Sequence, residues 1–418
     1  MKILLVNTSE RIGGAAVACG RLLKALQKQG VEAKMLVRDK QSDDPAVVSL
    51  NLGKWTQLWK FLWERIVIWK ANHFKKNNLF SVDIANTGTD ITQLPAFQEA
   101  DIIHLHWINQ GMLSLKNIRR ILESGKPVVW TMHDLWPAMG ICHHPRTCTN
   151  YQTHCHHCPL LLYGGGKKDL SYRTFEKKQK LMNGSKVHFV ACSRWLKERV
   201  EQSALLQGQP VCSIPNPLDL SVFHLKDRAQ ARKRLGLPLD KKLLLFGAVK
   251  ATDKRKGIDY LMKACKLLVK QDPALREEIG IVTFGHLSEG LKSRLPFEVF
   301  PQGYVSEEEA LTDIYSAVNA YVTPSLEENL PNIIMEAMAC GTPCIGFHVG
   351  GIPEMIDHQA NGYVAEYQSA EDLAKGILWI IRHKEPRMLS KHAVEKVQST
   401  YEESLVTRQF VELYQQIL

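Results

Sequence analysis

One folding pattern runs through the sequence, and it starts again near the middle. Residues 3–6 form a short apolar run, followed by a loop with Gly13 and Gly14 and then by an amphipathic helical pattern. A strand, a glycine-containing turn and a helix in succession are typical of a parallel α/β sheet. The first series of predicted strands continues at 33–37, 101–107, 127–131 and 186–192.

The second series predicts a complete α/β domain of its own. Its strands are predicted at 243–246, 281–284, 320–322 and 344–347. The proline-containing segment 214–219 lies between the two series and predicts the interdomain connection. At roughly 100–200 residues per domain, the chain fits two such domains. We predict domains at 1–214 and 220–398, and an amphipathic C-terminal helix at 401–418 that packs back on the first.

Charge and composition exclude few functions. The formal charge of +10 permits nucleic acid, an anionic membrane surface or a phosphorylated substrate as a partner. The sequence has no apolar run of 18 residues and no apolar core of a signal peptide. Its ten cysteines are too sparse for a disulfide scaffold. We therefore expect a reduced, cytoplasmic protein.

The segment 324–343 is the most specific part of the sequence. Pro331 suits the first turn of a helix and Gly341 suits its end, so Glu328 falls in the preceding loop and Glu336 inside the helix. The N–H groups at such a helix start bind phosphate. The two carboxylates suit hydroxyl groups of a sugar and of a ribose. The alternative is that both are solvated surface charges.

This segment resembles the Glu-x7-Glu signature of the retaining GT-B glycosyltransferases of family 4, also called glycosyltransferase group 1. Four further stretches match family motifs in the family's order: Gly13-Gly14, the linker 214–219, the segment 247–257 and the Gly-Gly-x-Pro-Glu turn at 350–354. The resemblance implies an α/β fold of GT-B type, with two Rossmann-like domains facing an interdomain cleft. It also implies a hexosyltransferase that uses a UDP- or GDP-linked sugar donor.

The resemblance assigns roles to individual residues. It implies that Glu328 contacts hydroxyls of the donor sugar, that Glu336 contacts the ribose, and that Lys256 neutralises the diphosphate. His133 would touch the donor sugar, which makes Glu328, His133 and Lys256 the candidate catalytic residues. The full set of candidate donor-binding residues is Gly14, Lys250, Lys256, Tyr304, Glu328, Asn329, Leu330 and Glu336.

Two of these assigned residues, and a pair of histidines outside the set, allow more than one interpretation. Lys250 stands where many relatives have an Arg, so it offers a point charge without a bidentate fork. Tyr304 stands where relatives place the nucleotide base, although an aromatic residue after a strand is more often part of a core. His104 and His106 share one face of a strand and either line the acceptor side or are satisfied buried histidines. The resemblance implies no catalytic metal.

A cysteine-rich insert is predicted at 140–160. Cys142, Cys148, Cys155 and Cys158 lie within seventeen positions, and four thiolates suit a closed structural zinc site. Free thiols and disulfides are the alternatives. A comparable insert occurs in the exopolysaccharide and colanic-acid-type branch of the family. We therefore expect an acceptor that is a glycan or a lipid-linked glycan, in surface polysaccharide biosynthesis.

The segment 54–76 combines tryptophans with lysines. This composition suits a helix that lies in a membrane interface, at the inner face of the plasma membrane if the acceptor is lipid-linked. It equally suits a helix that packs on the sheet.

Two other classes of protein share single features with this sequence. An NAD-type oxidoreductase also uses parallel α/β domains, but Gly13-Gly14 lacks the Gly-x-Gly-x-x-Gly order. A metal-stapled nucleic-acid-binding protein would use the positive charge, but the basic residues are dispersed and no reader module follows Cys158. We expect no nucleic acid partner.

Overall fold

The structure of the protein is a computed structural model. It describes residues 1–250, 253–286 and 292–418, with the backbone alone for 248–250 and 286. The chain divides into a first unit, Met1–Pro217 with Val406–Leu418, and a second unit, Leu218–Leu405.

The first unit contains a parallel sheet of seven strands. Their order across the sheet is β3-β2-β1-β4-β5-β6-β7. The strands are β1 Lys2–Ser9, β2 Glu32–Asp39, β3 Val47–Ser49, β4 Ile102–Leu105, β5 Val128–Met132, β6 His188–Ala191 and β7 Val211–Ser213. The order reverses between β1 and β4, so these two strands lie side by side at the centre of the sheet. In such sheets ligands gather at the carboxyl ends of the strands near this reversal.

Both faces of the first sheet are covered, which explains why its central strands are apolar throughout. Leu4 and Val6 of β1 belong to the core on one face, and Ile3 and Leu5 belong to the core on the other. This alternation follows from the two-residue period of a strand. The helices of this unit are α1 Gly14–Lys28, α2 Lys54–Ala71, α3 Pro95–Glu99, α4 Leu115–Leu122, α5 Leu170–Met182 and α6 Arg194–Glu201.

The second unit repeats the architecture with six parallel strands in the order β10-β9-β8-β11-β12-β13. The strands are β8 Lys242–Lys250, β9 Ile279–His286, β10 Glu298–Pro301, β11 Ala320–Thr323, β12 Cys344–Phe347 and β13 Gly362–Ala365. The helices described are α7 Arg228–Arg234, α8 Ile258–Gln271, α9 Leu275–Glu278, α10 Glu308–Ala317, α11 Asn332–Ala339, α12 Ile352–Met355, α13 Ala370–Ile381 and α14 Pro386–Thr400. Helices α8 and α13 supply much of the apolar core over β8, β9 and β12.

The last helix, α15 Glu403–Ile417, returns to the first unit. Its residues Val406, Phe410 and Tyr414 are buried together with Ile3 and Leu5 of β1. The chain therefore leaves the first unit after Pro217 and re-enters it at Val406.

Candidate active site

Helix α11 positions the two candidate carboxylates of the second unit. It begins after Pro331 and ends before Gly341, whose φ of +73° is a left-handed conformation that favours glycine. Glu328 therefore lies in the loop at the helix N-terminus, and Glu336 lies within the helix. The positive end of the helix dipole is at this loop.

Glu328 and Lys256 form an ion pair. The Nζ atom of Lys256 donates to Oε1 of Glu328 across 2.5 Å, and the Glu328 side chain is 15% exposed. Lys256 ends the short 3-10 turn Lys254–Lys256 that follows β8. The cation and the carboxylate that the resemblance assigns to different parts of a donor thus lie at one point of the fold.

Two glycines allow segments from three motifs of the second unit to approach each other closely. A β-carbon at Gly257 would lie 1.8 Å from the carbonyl oxygen of Pro324, and one at Gly350 would lie 1.8 Å from that of Glu328. The φ angles of Gly257 and Gly350 are +67° and +60°. No other residue fits these positions without displacing the Glu328 loop.

Backbone hydrogen bonds join the same three segments. The N–H of Leu326 donates to the carbonyl of Arg255 across 2.7 Å, and the N–H of Gly351 donates to the carbonyl of Asn329 across 2.8 Å. The motifs at 324–343 and 350–354 therefore lie against residues 255–257, the end of the third motif. Asn329 and Leu330, the candidate amide donors, are both buried.

Glu336 is buried and hydrogen-bonded, so it is not a solvated surface charge. Its Oε2 atom accepts a hydrogen bond from the hydroxyl of Tyr315 across 2.6 Å. Burial, together with the neighbouring Glu336 carboxylate, raises the pKa of the Tyr315 hydroxyl well above its ordinary value. Tyr315 comes from α10, and sequence reasoning did not single it out because nothing in its local pattern marks it.

The remaining candidate residues of the second unit are Tyr304 and Lys250. Tyr304 follows β10 and is 67% exposed, so it is not a core residue. Arg255 forms an ion pair with Asp253 across 2.7 Å. The side chain of Lys250 lies outside the described part of the chain.

In the first unit, His133 follows β5. Its Nε2 atom lies 3.0 Å from Nδ1 of His106, and its Nδ1 atom lies 3.6 Å from Sγ of Cys192. Burial lowers the pKa of His133 to about 4, although Asp134 opposes the shift. The His133 imidazole is therefore neutral near pH 7. Gly14, the candidate of the first loop, is the first residue of α1 and follows Gly13, whose φ is +93°.

His104 is a satisfied buried histidine. Its two ring nitrogens lie 2.7 Å from the hydroxyls of Tyr414 and Thr131. Of the two interpretations of His104, the structure favours the structural one. His106 differs, because within the described residues its Nε2 atom is buried and has no hydrogen-bond partner.

A buried charge network holds the loop after β5. His143 contacts Asp134 across 2.8 Å and Asp83 across 2.6 Å. These two carboxylates raise the pKa of His143 to about 10 despite its burial. Sequence reasoning missed the pairing because Asp83 is far from His143 along the chain, and no local signal connects them.

The four cysteines of the insert line one pocket. Cys142, Cys148, Cys155 and Cys158 border it together with His156. No disulfide joins any of the ten cysteines in the structure. Within the described residues, however, no group of three or more His, Cys, Asp or Glu side chains is placed to hold a metal ion. The structural zinc site stays a prediction.

A search of the described helices for a membrane-spanning segment finds none that is both long and apolar enough.

Two parallel-sheet, Rossmann-like units define a glycosyltransferase of GT-B type when the second carries a paired cation and carboxylate before a helix and a second carboxylate inside it. Family models agree: "Glycosyltransferase Family 4" matches residues 12–222 and "Glycosyl transferases group 1" matches residues 227–396. The chain belongs to this family of glycosyltransferases. The predicted family, fold class and enzyme class are thereby confirmed.

Named relatives show how far the similarity extends. The D-inositol 3-phosphate glycosyltransferase of Saccharomonospora viridis is 24% identical, over 92% of this chain and 85% of its own. The putative colanic acid biosynthesis glycosyl transferase WcaC of Escherichia coli is 28% identical, over 63% of this chain and 64% of its own. The structure of Anabaena Alr3699/HepE in complex with UDP-glucose matches with a TM-score of 0.64 and 17% identity, over 100% of both chains.

Proposed function

We propose that the protein is a retaining glycosyltransferase that moves a sugar from a UDP- or GDP-linked donor to a glycan or lipid-linked glycan acceptor in surface polysaccharide biosynthesis. The observation that carries the proposal is the convergence of Lys256, Glu328 and the α11 N-terminus in the second unit. The names of two similar proteins support the donor and the pathway proposed here: one is called a putative colanic acid biosynthesis glycosyl transferase, and one was solved in complex with UDP-glucose.

The chemistry follows from where charge develops. As the bond between the anomeric carbon and the phosphate oxygen breaks, negative charge grows on the nucleoside diphosphate. The Lys256 ammonium and the α11 N-terminus stabilise that charge, and electrostatic stabilisation of this kind is often the largest catalytic term. The ion pair with Glu328 opens when the diphosphate takes the ammonium, which frees the Glu328 carboxylate for hydroxyls of the sugar.

Retention of configuration fits front-face substitution. The acceptor oxygen bonds to the anomeric carbon on the face that the phosphate leaves, and the proton of the acceptor hydroxyl passes to the leaving phosphate oxygen. This route needs no protein nucleophile and no catalytic metal. His133, neutral near pH 7, would contact the donor sugar by hydrogen bonding rather than by charge.

The test is release of nucleoside diphosphate from a panel of UDP- and GDP-sugars. We expect one donor to be turned over, and Lys256→Ala or Glu328→Ala to lower kcat roughly 10²–10³-fold, as removal of one stabilising group does in other enzymes. Lys266→Ala, which removes an exposed lysine of α8, is the matched control and keeps full activity. NMR of the product should show the donor's anomeric configuration, and an inverted product would contradict the retaining mechanism.

A further inference from the structure

Helix α2 buries an acidic and a basic side chain at its middle and exposes most of its large apolar side chains. Glu64 and Arg65 are 0% and 4% exposed, whereas Trp55 and Trp59 are 84% and 61% exposed. A surface helix of a globular protein normally shows the reverse arrangement. The large apolar side chains exposed on α2 are Trp55, Leu58, Trp59, Leu62, Trp63 and Ile66.

These six side chains form one face, which we call the α2 apolar face. Their spacing of three or four residues places them on one side of a helix. The rings of Trp59 and Trp63 are stacked with centroids 6.0 Å apart. Phe74 and Phe80, which follow the helix in the chain, are also exposed, at 60% and 67%. Exposed apolar patches of this extent mark interaction surfaces.

Buried polar contacts fix this orientation. Glu64 accepts hydrogen bonds from the N–H groups of Ile84 and Ala85 across 2.8 and 2.7 Å. Arg65 donates to the carbonyls of Leu79 and Val82 and pairs with Asp83. Rolling the helix to bury the apolar face would break these contacts and leave charges unpaired. The outward position of the tryptophans is therefore built into the fold.

The exposed charges on α2 and on the segment that follows it are all of one sign. Within residues 51–80 there are six basic residues and a single acidic one, Glu64, which is buried and paired with Arg65. Lys54, Lys70, Lys75 and Lys76 are exposed. An isologous contact between two copies of this face would bring like charges together, which disfavours a second copy of the chain as its partner.

We propose that the α2 apolar face docks on an anionic bilayer surface. In this arrangement the helix lies in the plane of the interface, with its tryptophans and leucines among the upper acyl chains and its lysines at the anionic headgroups. Tryptophan is favoured at that depth because its ring is amphipathic. This inference goes beyond the proposed reaction and does not depend on the donor or the acceptor.

Sedimentation with vesicles tests the docking on the full chain. The probes are vesicles of equal parts phosphatidylcholine and phosphatidylglycerol, and vesicles of phosphatidylcholine alone. We expect binding to the anionic vesicles, and a combined Trp55→Ser, Trp59→Ser and Trp63→Ser variant to bind about tenfold more weakly. Leu239→Ser, which removes a 56% exposed apolar side chain of the second unit, is the control and keeps wild-type binding.

A second variant separates charge from apolar contact. Lys70→Gln, Lys75→Gln and Lys76→Gln together should reduce binding to the anionic vesicles to the level seen with phosphatidylcholine alone. Wild-type protein that ignores both vesicles, or a tryptophan variant that binds as wild type does, would overturn the proposal. A wild-type dimer that dissociates in the tryptophan variant would also overturn it, by assigning the face to a second copy.

Measuring nucleotide-sugar binding of the tryptophan variant in the absence of vesicles distinguishes the docking proposal from the proposed function. The tryptophan variant should bind the nucleotide sugar as wild type does, because α2 belongs to the first unit and carries no candidate donor residue. Loss of vesicle binding with intact donor binding would therefore support the docking alone.

Discussion

At Gly350 the candidate site leaves no space for any side chain. A β-carbon there would lie 1.8 Å from the carbonyl oxygen of Glu328, whereas one at Gly236, whose φ of +64° is similar, would meet nothing within 4 Å. We therefore predict that Gly236→Ala costs about 1 kcal/mol of unfolding free energy, from the left-handed conformation alone. Gly350→Ala should cost clearly more, about 3 kcal/mol, and should weaken donor binding because the Glu328 loop must move.

Urea denaturation of both variants, with donor titrations, measures this difference. Equal losses of stability for Gly236→Ala and Gly350→Ala would mean that the close approach to Glu328 does not shape the site.

The sequence predicts a contact in the candidate site only where both residues stand in recognised family motifs. Lys256 and Glu328 stand in motifs of known order, so their meeting could be anticipated from the family resemblance. The contacts of Tyr315 with Glu336 and of Asp83 with His143 could not, because no sequence pattern marks Tyr315 or Asp83. Such contacts follow from packing between elements, which local sequence does not encode.

The sequence predicts the central strands of both sheets but not their edge strands. Apolar runs predicted β1, β2, β4, β5 and β6 of the first sheet and β8, β9, β11 and β12 of the second. The four strands without a prediction, β3, β7, β10 and β13, are the outermost strands of their sheets. An edge strand pairs on one side only, and three of these four are mostly half-buried or exposed, so their sequences lack a clear apolar run.

Acid should weaken the attachment of β4 to α15. Burial lowers the pKa of His104 from 6.5 to about 3, so the folded state keeps the ring neutral while the unfolded chain takes up a proton below pH 6.5. The stability due to this neutral ring is fully present above pH 6.5 and declines by about 1.4 kcal/mol per pH unit as pH falls toward 3.

Unfolding free energies at pH 7 and pH 5.5 check this prediction. His104→Asn removes the titrating ring and should show a shallower decline than wild type. The same decline in both proteins would contradict the assignment of this linkage to His104.

The insert at 140–160 is predicted to be held by one zinc ion. Native mass spectrometry of protein purified without chelator should show one zinc per chain, and removal of the metal should lower the Tm. Cys155→Ser with Cys158→Ser should abolish metal binding, whereas Cys212→Ser, a free thiol elsewhere in the first unit, should not. Metal-free protein with an unchanged Tm would contradict the zinc site and favour free thiols.

The first unit is built from two separate segments of the chain, Met1–Pro217 and Val406–Leu418. Val406, Phe410 and Tyr414 of α15 complete its core. Burying each such side chain contributes about 1.5–3 kcal/mol, so together they approach the entire stability of a typical domain, about 5–15 kcal/mol. We predict that residues 1–217 alone do not fold.

The matched control is the same fragment joined by a long flexible linker to residues 403–418. This fusion should give a cooperative thermal transition, and the fragment alone should aggregate or lack one. A cooperative transition of 1–217 alone would show that α15 is dispensable for the first unit.

We propose that the second unit binds a nucleotide sugar through Lys256 and Glu328. Calorimetric titration of the full chain with UDP- and GDP-sugars tests it most directly. We predict that one donor binds with a stoichiometry near one, that Lys256→Ala weakens the affinity at least about tenfold, corresponding to about 1.4 kcal/mol, and that Lys266→Ala leaves it unchanged. Absence of binding for every nucleotide sugar, or equal affinity of Lys256→Ala and wild type, would contradict the account.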